Sequence, residues 1–259
     1  MNTPLREHRS RLRDALSSLC VLAAALGPMA DVAAQTAARP AGSASAAPAE
    51  SKYLAPGFSQ LPKAARVVIM PVDVELYSLS AGGVAEPRAD WTAAALGHMT
   101  SAVTSRIGAT GLDATTMDDA AADEFAEQVG LHAAVARSIA LHHATGGVWA
   151  LPSKNGRLDW SFEDSMKPLQ EKTGARYALF IYVRDSYASA ERKAAMVAMM
   201  VLGVGLSGGT QSGYASLIDL ETGRVLWFNR LLRVSGDLRE SGAAAESMAA
   251  LLTGFPAVR

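Results

Sequence analysis

Cysteine is almost absent from this chain of 259 residues, which has one, Cys20. Cys20 lies within an apolar run, residues 15–26, and more apolar residues follow it. A lipid-anchored cysteine instead comes directly after such a run and follows small residues. We therefore predict no lipid anchor at Cys20. With no second cysteine to form an internal disulfide, the folded chain has to be stabilised by core packing.

An excess of charge of one sign is also missing. The chain has 24 lysine and arginine residues against 25 aspartate and glutamate residues, and aromatic residues make up 6%. Proteins that bind nucleic acid carry a basic stripe, commonly with interleaved aromatic residues. The balance of charge therefore predicts that nucleic acid is not a partner.

Groups that carry catalysis or hold a metal are scarce. His132, His142 and His143 fall on one predicted helix, but no two of them have the four-residue spacing of a helical zinc pair. No serine, Ser207 before Gly208-Gly209 included, is predicted to lie in the G-x-S-x-G turn of a serine nucleophile. We predict no catalytic residue, no cofactor and no metal site. A hydrolase that uses His132 or His143 with nearby acids remains an alternative.

The N-terminal part has the layout of a bacterial signal peptide. A start rich in arginine, the apolar run and small residues before Gln35 predict that residues 1–34 are removed on export. The run is too short to span a bilayer. Residues 35–52 consist mostly of Ala, Ser, Pro and Gly and predict a disordered linker. The folded protein is thus expected to be periplasmic or envelope-associated.

Residues 53–259 predict a single α/β domain with a mixed sheet of about five strands and flanking helices. Residues 176–183 are apolar on both faces, which indicates a central strand covered on both sides. Pro71 interrupts an apolar strand and predicts a bulge or a strand exit. One helix is expected to begin with Asp90 as its N-cap, and another to run from Asp118 to about residue 144. A hairpin is expected around Asn155-Gly156.

One segment, residues 194–213, is unusually apolar and rich in glycine. Residues 194–218 carry no charge, and the first half of this stretch is too short to cross a bilayer as a helix. A dinucleotide-binding loop formed by Gly203, Gly205 and Gly208 lacks the required helix after it. The segment is either a buried helix or strand followed by a loop, or a surface for self-association or membrane contact. Gly205, Gly209 and Gly213 recur at four-residue intervals, a spacing that on a helix lets another helix approach closely. The candidate interaction residues are Met196, Met199, Met200, Leu202, Gly205, Gly209 and Gly213.

The apolar strand ending at Met70-Pro71, followed by a loop and an amphipathic helix, resembles the opening of the TolB N-terminal-like α/β domain. The hairpin of residues 215–227 and the strand of residues 175–181 are similar to those of the curli-secretion and ABC-transport-auxiliary lipoproteins. The resemblance covers roughly residues 66–255 and implies a non-enzymatic envelope component that assembles with partners or with itself. In the curli channel family, membrane-crossing hairpins are inserted between the central strand and the late hairpin, where residues 194–206 lie in this chain. These residues lack the alternation of inward and outward side chains that a pore strand has.

The sequence therefore predicts a non-enzymatic periplasmic or cell-envelope protein that acts through contacts with other envelope proteins or with itself. A membrane-associated or pore-type oligomer that uses residues 194–213 is one alternative. A hydrolase is another. The last is a small-molecule-binding module, for which a pocket lined by Trp149, Trp160 and Phe180 would be expected.

Overall fold

The computed structural model describes residues 51–259. The predicted signal peptide, Cys20 and all but the last two residues of the predicted linker lie outside the described residues. The elements are β1 (Gln60–Leu61), β2 (Arg66–Ile69), β3 (Asp73–Leu79), β4 (Ala85–Pro87), α1 (Ala89–Gly108), β5 (Asp113–Thr116), α2 (Asp119–Asp123), α3 (Ala126–Ile139), α4 (Lys167–Thr173), β6 (Tyr177–Ala188), α5 (Ala190–Val201), β7 (Gln211–Asp219), β8 (Val225–Arg233), α6 (Ser241–Leu251) and β9 (Ala257–Val258). They confirm the α/β class.

The main sheet is mixed and has seven strands rather than about five. The difference arises because the predicted strand around Pro71 is counted as β2 and β3, and because the short β4 joins the edge of β3. Both β2 and β3 run parallel to β6, whereas β7 runs antiparallel to β6 and β8 antiparallel to β7. β5 pairs with β2, and β1 with β9 forms a separate two-stranded sheet.

Pro71 produces the predicted bulge between β2 and β3. Ile69 pairs with Leu179 and Asp73 pairs with Tyr182, so three residues on one strand oppose two on β6. Pro71 has no N–H to donate to the ladder, which makes it suitable for the unpaired position. The bulge lets one interrupted strand follow β6 along most of its length.

Helices cover both faces of the sheet, as the two-sided apolar character of the central strand predicted. Tyr177, Leu179 and Ile181 of β6 point into a core shared with α1 and α6. Ala178 and Phe180 point to the opposite core, shared with α3 and α4. Burial on both faces makes β6 the central strand of a three-layer domain.

The hairpin prediction is wrong. The expected hairpin around Asn155-Gly156 is a pair of 3₁₀ turns, Gly147–Trp149 and Pro152–Lys154, and Asn155 ends the second turn with φ 50°. Ser161 bridges to Arg224 beside β8 instead of to a hairpin partner. The helix predicted from Asp118 begins there, since the Asp118 carboxylate accepts from the Ala121 N–H at 2.7 Å.

That helix is broken after its first turns. Phe125, with φ −111° and ψ 24°, separates α2 from α3 and turns its side chain into the core. The final turn, Ala140–Thr145, is a π-helix. Helix α1 begins at Ala89, so Asp90 is not its N-cap, and the Asp90 carboxylate pairs with Arg88 instead.

Candidate functional site

Helix α5 lies in the connection between β6 and β7, within the apolar segment singled out from the sequence. Ser189 is its N-cap, and its hydroxyl accepts from the Arg192 N–H at 3.2 Å. Alanine and methionine, which favour helices, occupy most of the following positions. The helix ends at Val201, and Gly203 leaves it with φ 75°.

Large apolar side chains at the end of α5 are exposed. The exposed fractions are 65% for Val197, 71% for Met200, 84% for Val201, 73% for Leu202 and 43% for Val204. We call residues 197–204 the apolar arm. The interpretation of this half of the segment as a buried core helix is wrong, because Arg192 is the only buried residue of α5.

Arg192 anchors the base of the arm. Its Nε donates to the Ser207 carbonyl at 2.8 Å, and its Nη1 lies 3.5 Å from the carbonyls of Ser80 and Ala81. One buried guanidinium thus connects the start of α5, the chain that returns to β7, and the turn between β3 and β4. Hydrogen bonds from a charged donor are stronger than those between neutral groups.

Replacing Arg192 with methionine should loosen the arm without unfolding the domain. Loss of hydrogen bonds from a charged donor costs roughly 1.5–3 kcal/mol, enough to speed amide exchange in α5 by about tenfold or more. Hydrogen–deuterium exchange of α5 measures this effect. Lys193→Met is the control, because it removes the adjacent positive charge but none of these hydrogen bonds. Equal exchange in the two variants would contradict the anchoring role.

The predicted interaction residues separate into two groups. Met200, Leu202 and Gly205 are exposed, and Met196 and Met199 are half-buried. The other two, Gly209 and Gly213, are buried, and Gly213 is part of β7.

The expected helical face of glycines at four-residue intervals is therefore wrong. A Cβ on Gly213 would lie 2.5 Å from the Tyr182 carbonyl oxygen of β6. Gly209 approaches the Ser186 carbonyl in the same way, with φ 145°. These two glycines serve close packing of the chain against β6.

A cleft of about 830 Å³ lies beside the base of α5. The Trp91 indole forms part of its wall, with the Arg88 and Arg239 guanidinium carbons 4.3 and 4.5 Å from the ring centre. Each arginine donates two hydrogen bonds to an aspartate two residues away, Arg88 to Asp90 and Arg239 to Asp237. These cations are thus already engaged, both by the ring and by carboxylates.

A buried polar network lies behind this cleft, and the sequence did not reveal it. The Asp185 carboxylate accepts from the Tyr187 hydroxyl at 2.5 Å, from the Gln211 amide at 2.7 Å and from the Ser186 N–H at 2.8 Å. Burial raises the pKa of Asp185, although the three hydrogen bonds oppose the shift. The sequence signal for this network was the presence of polar residues at core-facing positions near strand ends, Asp185 on β6 and Gln211 on β7.

The histidines do not form a catalytic group. His142 and His143 lie within hydrogen-bond distance of the backbone carbonyls of Trp149 and Lys52. His132 Nε2 lies 2.6 Å from the Ser216 hydroxyl, but both side chains are buried, at 4% and 1% exposure. Within the described residues no carboxylate is hydrogen-bonded to His132, so the orienting group of a triad is missing there.

Residues 205–209 match the letters G-x-S-x-G but not the geometry of a nucleophile elbow. They form the loop between α5 and β7, whereas an elbow turns from a strand into a helix. The Ser207 hydroxyl donates to the Gly209 carbonyl at 3.2 Å. Elsewhere in residues 51–259, no three His, Cys, Asp or Glu side chains are grouped as a metal site.

No protein-family model and no curated protein sequence matches the chain. Solved structures similar to it include the PelC dodecamer from Paraburkholderia phytofirmans, at 15% identity and TM-score 0.38 over 78% of this chain and 94% of that one. Lipoprotein GNA1162 from Neisseria meningitidis is 18% identical, with TM-score 0.31 over 73% and 94% of the two chains. The LpoB C-terminal domain from Salmonella enterica is 10% identical, with TM-score 0.26 over 66% and 84%.

Proposed function

We propose that the chain is a non-enzymatic cell-envelope protein that acts by binding another envelope protein or a second copy of itself through the apolar arm. The observation that carries the proposal is the exposure of five large apolar side chains on one short helix and the loop after it. Contiguous exposed apolar surface of this kind marks interaction sites in folded proteins. The predicted export of the chain supplies the compartment.

The placement of the arm supports a contact surface rather than a packing defect. Arg192 ties its base to two other parts of the chain, so the apolar side chains are presented on a fixed helix. A fixed surface loses less conformational entropy on binding than a flexible one. Methionines 196, 199 and 200 add side chains that adapt to the shape of a partner.

A photo-crosslinking amino acid placed at Val201 in exporting cells should form a protein adduct. The matched control is Val148, a valine that is 93% exposed but lies far along the chain from the arm. The mass of the adduct distinguishes a second copy from another envelope protein. An adduct at position 201 that is absent at 148 supports the proposal. No protein adduct at 201, or equal adducts at both positions, contradicts it.

The same two positions allow a test by substitution. Val201→Lys should weaken the complex by about tenfold or more, because a charge would be buried at the centre of an apolar contact. Val148→Lys should leave the complex unchanged. Size-exclusion chromatography with light scattering of the purified chain measures self-association, and the yield of the adduct measures contact with another protein.

Membrane contact is the second candidate, and the absence of charge from residues 194–210, which precede β7, favours it. In residues 51–259 no helix has both the length and the apolar character needed to cross a bilayer. Contact would therefore be made at the surface, by the side chains of the arm entering the interface. Adducts at position 201 that contain only lipid would favour this candidate over protein binding.

A further inference from the structure

A second feature, separate from the apolar arm, is a cavity of about 490 Å³ between the α2–α3 region and the sheet. Its wall on α3 includes three small residues, Ala126, Gly130 and Ala133, together with Val129 and His132. A Cβ added to Gly130 would meet no atom within 4 Å. The opposite wall includes the bulge at Pro71. Small side chains opposite a bulge leave the two layers unfilled here.

The floor of the cavity is apolar and aromatic. The His132 and Phe180 rings stack with centres 3.9 Å apart, and Tyr182 stacks on Tyr214 at 4.7 Å. Burial lowers the pKa of His132 to about 3, so this ring is neutral near neutral pH. A floor of this kind suits the apolar or aromatic body of a small molecule, and the volume is within the range of ligand pockets.

The rim of the cavity is acidic. Its lining contains Asp73, Asp119 and Asp123 but no lysine or arginine. Arg184 pairs with Asp73 at 2.7 Å. Asp119 and Asp123 are four residues apart on α2, and neither forms an ion pair within residues 51–259. Two carboxylates at the mouth of an apolar cavity favour a positively charged group at that point.

We propose that this cavity binds a small molecule that has an apolar body and one ammonium group. The apolar body lies against the apolar lining of the cavity, and the ammonium group lies beside Asp119 and Asp123. The sequence had suggested a pocket lined by Trp149, Trp160 and Phe180, and of these only Phe180 lines the cavity. An anion of the same shape is disfavoured by the rim, and a neutral molecule gains nothing from it. The proposal does not depend on the apolar arm.

Three probes with one phenylbutyl body separate shape from charge: 4-phenylbutylamine, 4-phenylbutanol and 4-phenylbutyrate. Isothermal titration of the full chain at about pH 7.5 and low ionic strength should show the amine binding about fivefold more tightly than the alcohol. The carboxylate should bind most weakly. Added salt should reduce the difference between amine and alcohol, because it screens the rim charges.

Variants of the rim and the wall assign the binding to this cavity. Asp119→Asn with Asp123→Asn should remove the preference for the amine but keep binding of the alcohol. Glu127→Gln is the matched control, an exposed carboxylate on α3 that does not line the cavity. Ala133→Trp should abolish binding of all three probes by filling the space.

Equal affinity for the three probes would overturn the proposal, as would an amine preference that survives the double Asn variant. Absence of saturable binding of the amine up to about 10 mM would overturn it too. None of these outcomes bears on the apolar arm, so the two proposals fail independently.

Discussion

Replacing Gly209 with alanine should destabilise the domain by about 3 kcal/mol, through backbone strain and a clash that no side chain can relieve. The added Cβ would meet the backbone carbonyl of Ser186, and φ 145° is a conformation that alanine rarely adopts. For a domain of this size the loss corresponds to a fall in Tm of roughly 6–12 °C. Thermal unfolding followed by circular dichroism measures it.

Gly205→Ala is the control for this prediction, because a Cβ at Gly205 meets no atom within 4 Å. We expect its effect to be within about 0.5 kcal/mol. The pair also separates the two groups of glycines in the predicted interaction segment. If Gly209→Ala left stability unchanged, the close approach of this loop to β6 would be refuted.

Acid should destabilise the domain through His132. The native pKa of about 3 lies below the ordinary value of 6.5, because burial disfavours the charged ring. Between these two pH values the unfolded chain binds a proton that the native chain does not. Stability is therefore complete above about pH 6.5 and falls by about 1.4 kcal/mol per pH unit below it, or roughly 3 kcal/mol between pH 7 and pH 4.

Urea unfolding at a series of pH values should reveal this dependence of the free energy of unfolding on pH. His132→Gln should lower the slope by about 1.4 kcal/mol per pH unit, the contribution of one proton. The glutamine variant can keep a hydrogen bond to the Ser216 hydroxyl but has no group that titrates. Carboxylates such as Asp185 contribute to the pH dependence in both proteins, so the difference between the two slopes reports His132. Parallel slopes would mean that the histidine protonates without unfolding.

The strands were predictable because their signal is local. Continuous apolar character over residues 176–183 and the interruption at Pro71 both concern neighbouring residues, and β6 and the bulge follow from them. Which of the two cores each side chain of β8 enters was harder to predict. A bulge between Leu217 and Ile218 brings Leu226 to the same core as Trp227 and leaves Val225 in the other core, which simple alternation does not predict.

The surfaces were harder to predict than the core. An apolar run such as residues 197–204 has the same composition whether it faces a core or solvent, so its exposure on α5 depends on what packs against it. The cavity was also hidden. Alanine and glycine on a helix such as α3 are compatible both with close packing and with a cavity, and the distance between the helix and the sheet, which the sequence does not give, decides between them. Whether Met200 and Leu202 contact a partner remains a prediction.

The long pairing of β6 has a consequence for how the chain acquires its structure. Val67 pairs with Tyr177, and Asp73 pairs with Tyr182. Strands β2 and β3 therefore cannot complete their pairing until β6, which comes much later in the chain, has been synthesised. Pairings between residues far apart in sequence slow folding, because a large loop has to close before they form. When only the N-terminal half has been made, β2 can pair with β5 and β3 with β4, but both strands lack their shared neighbour β6. The unpaired edges of β2 and β3 in such a nascent segment would remain accessible to chaperones until β6 pairs with them.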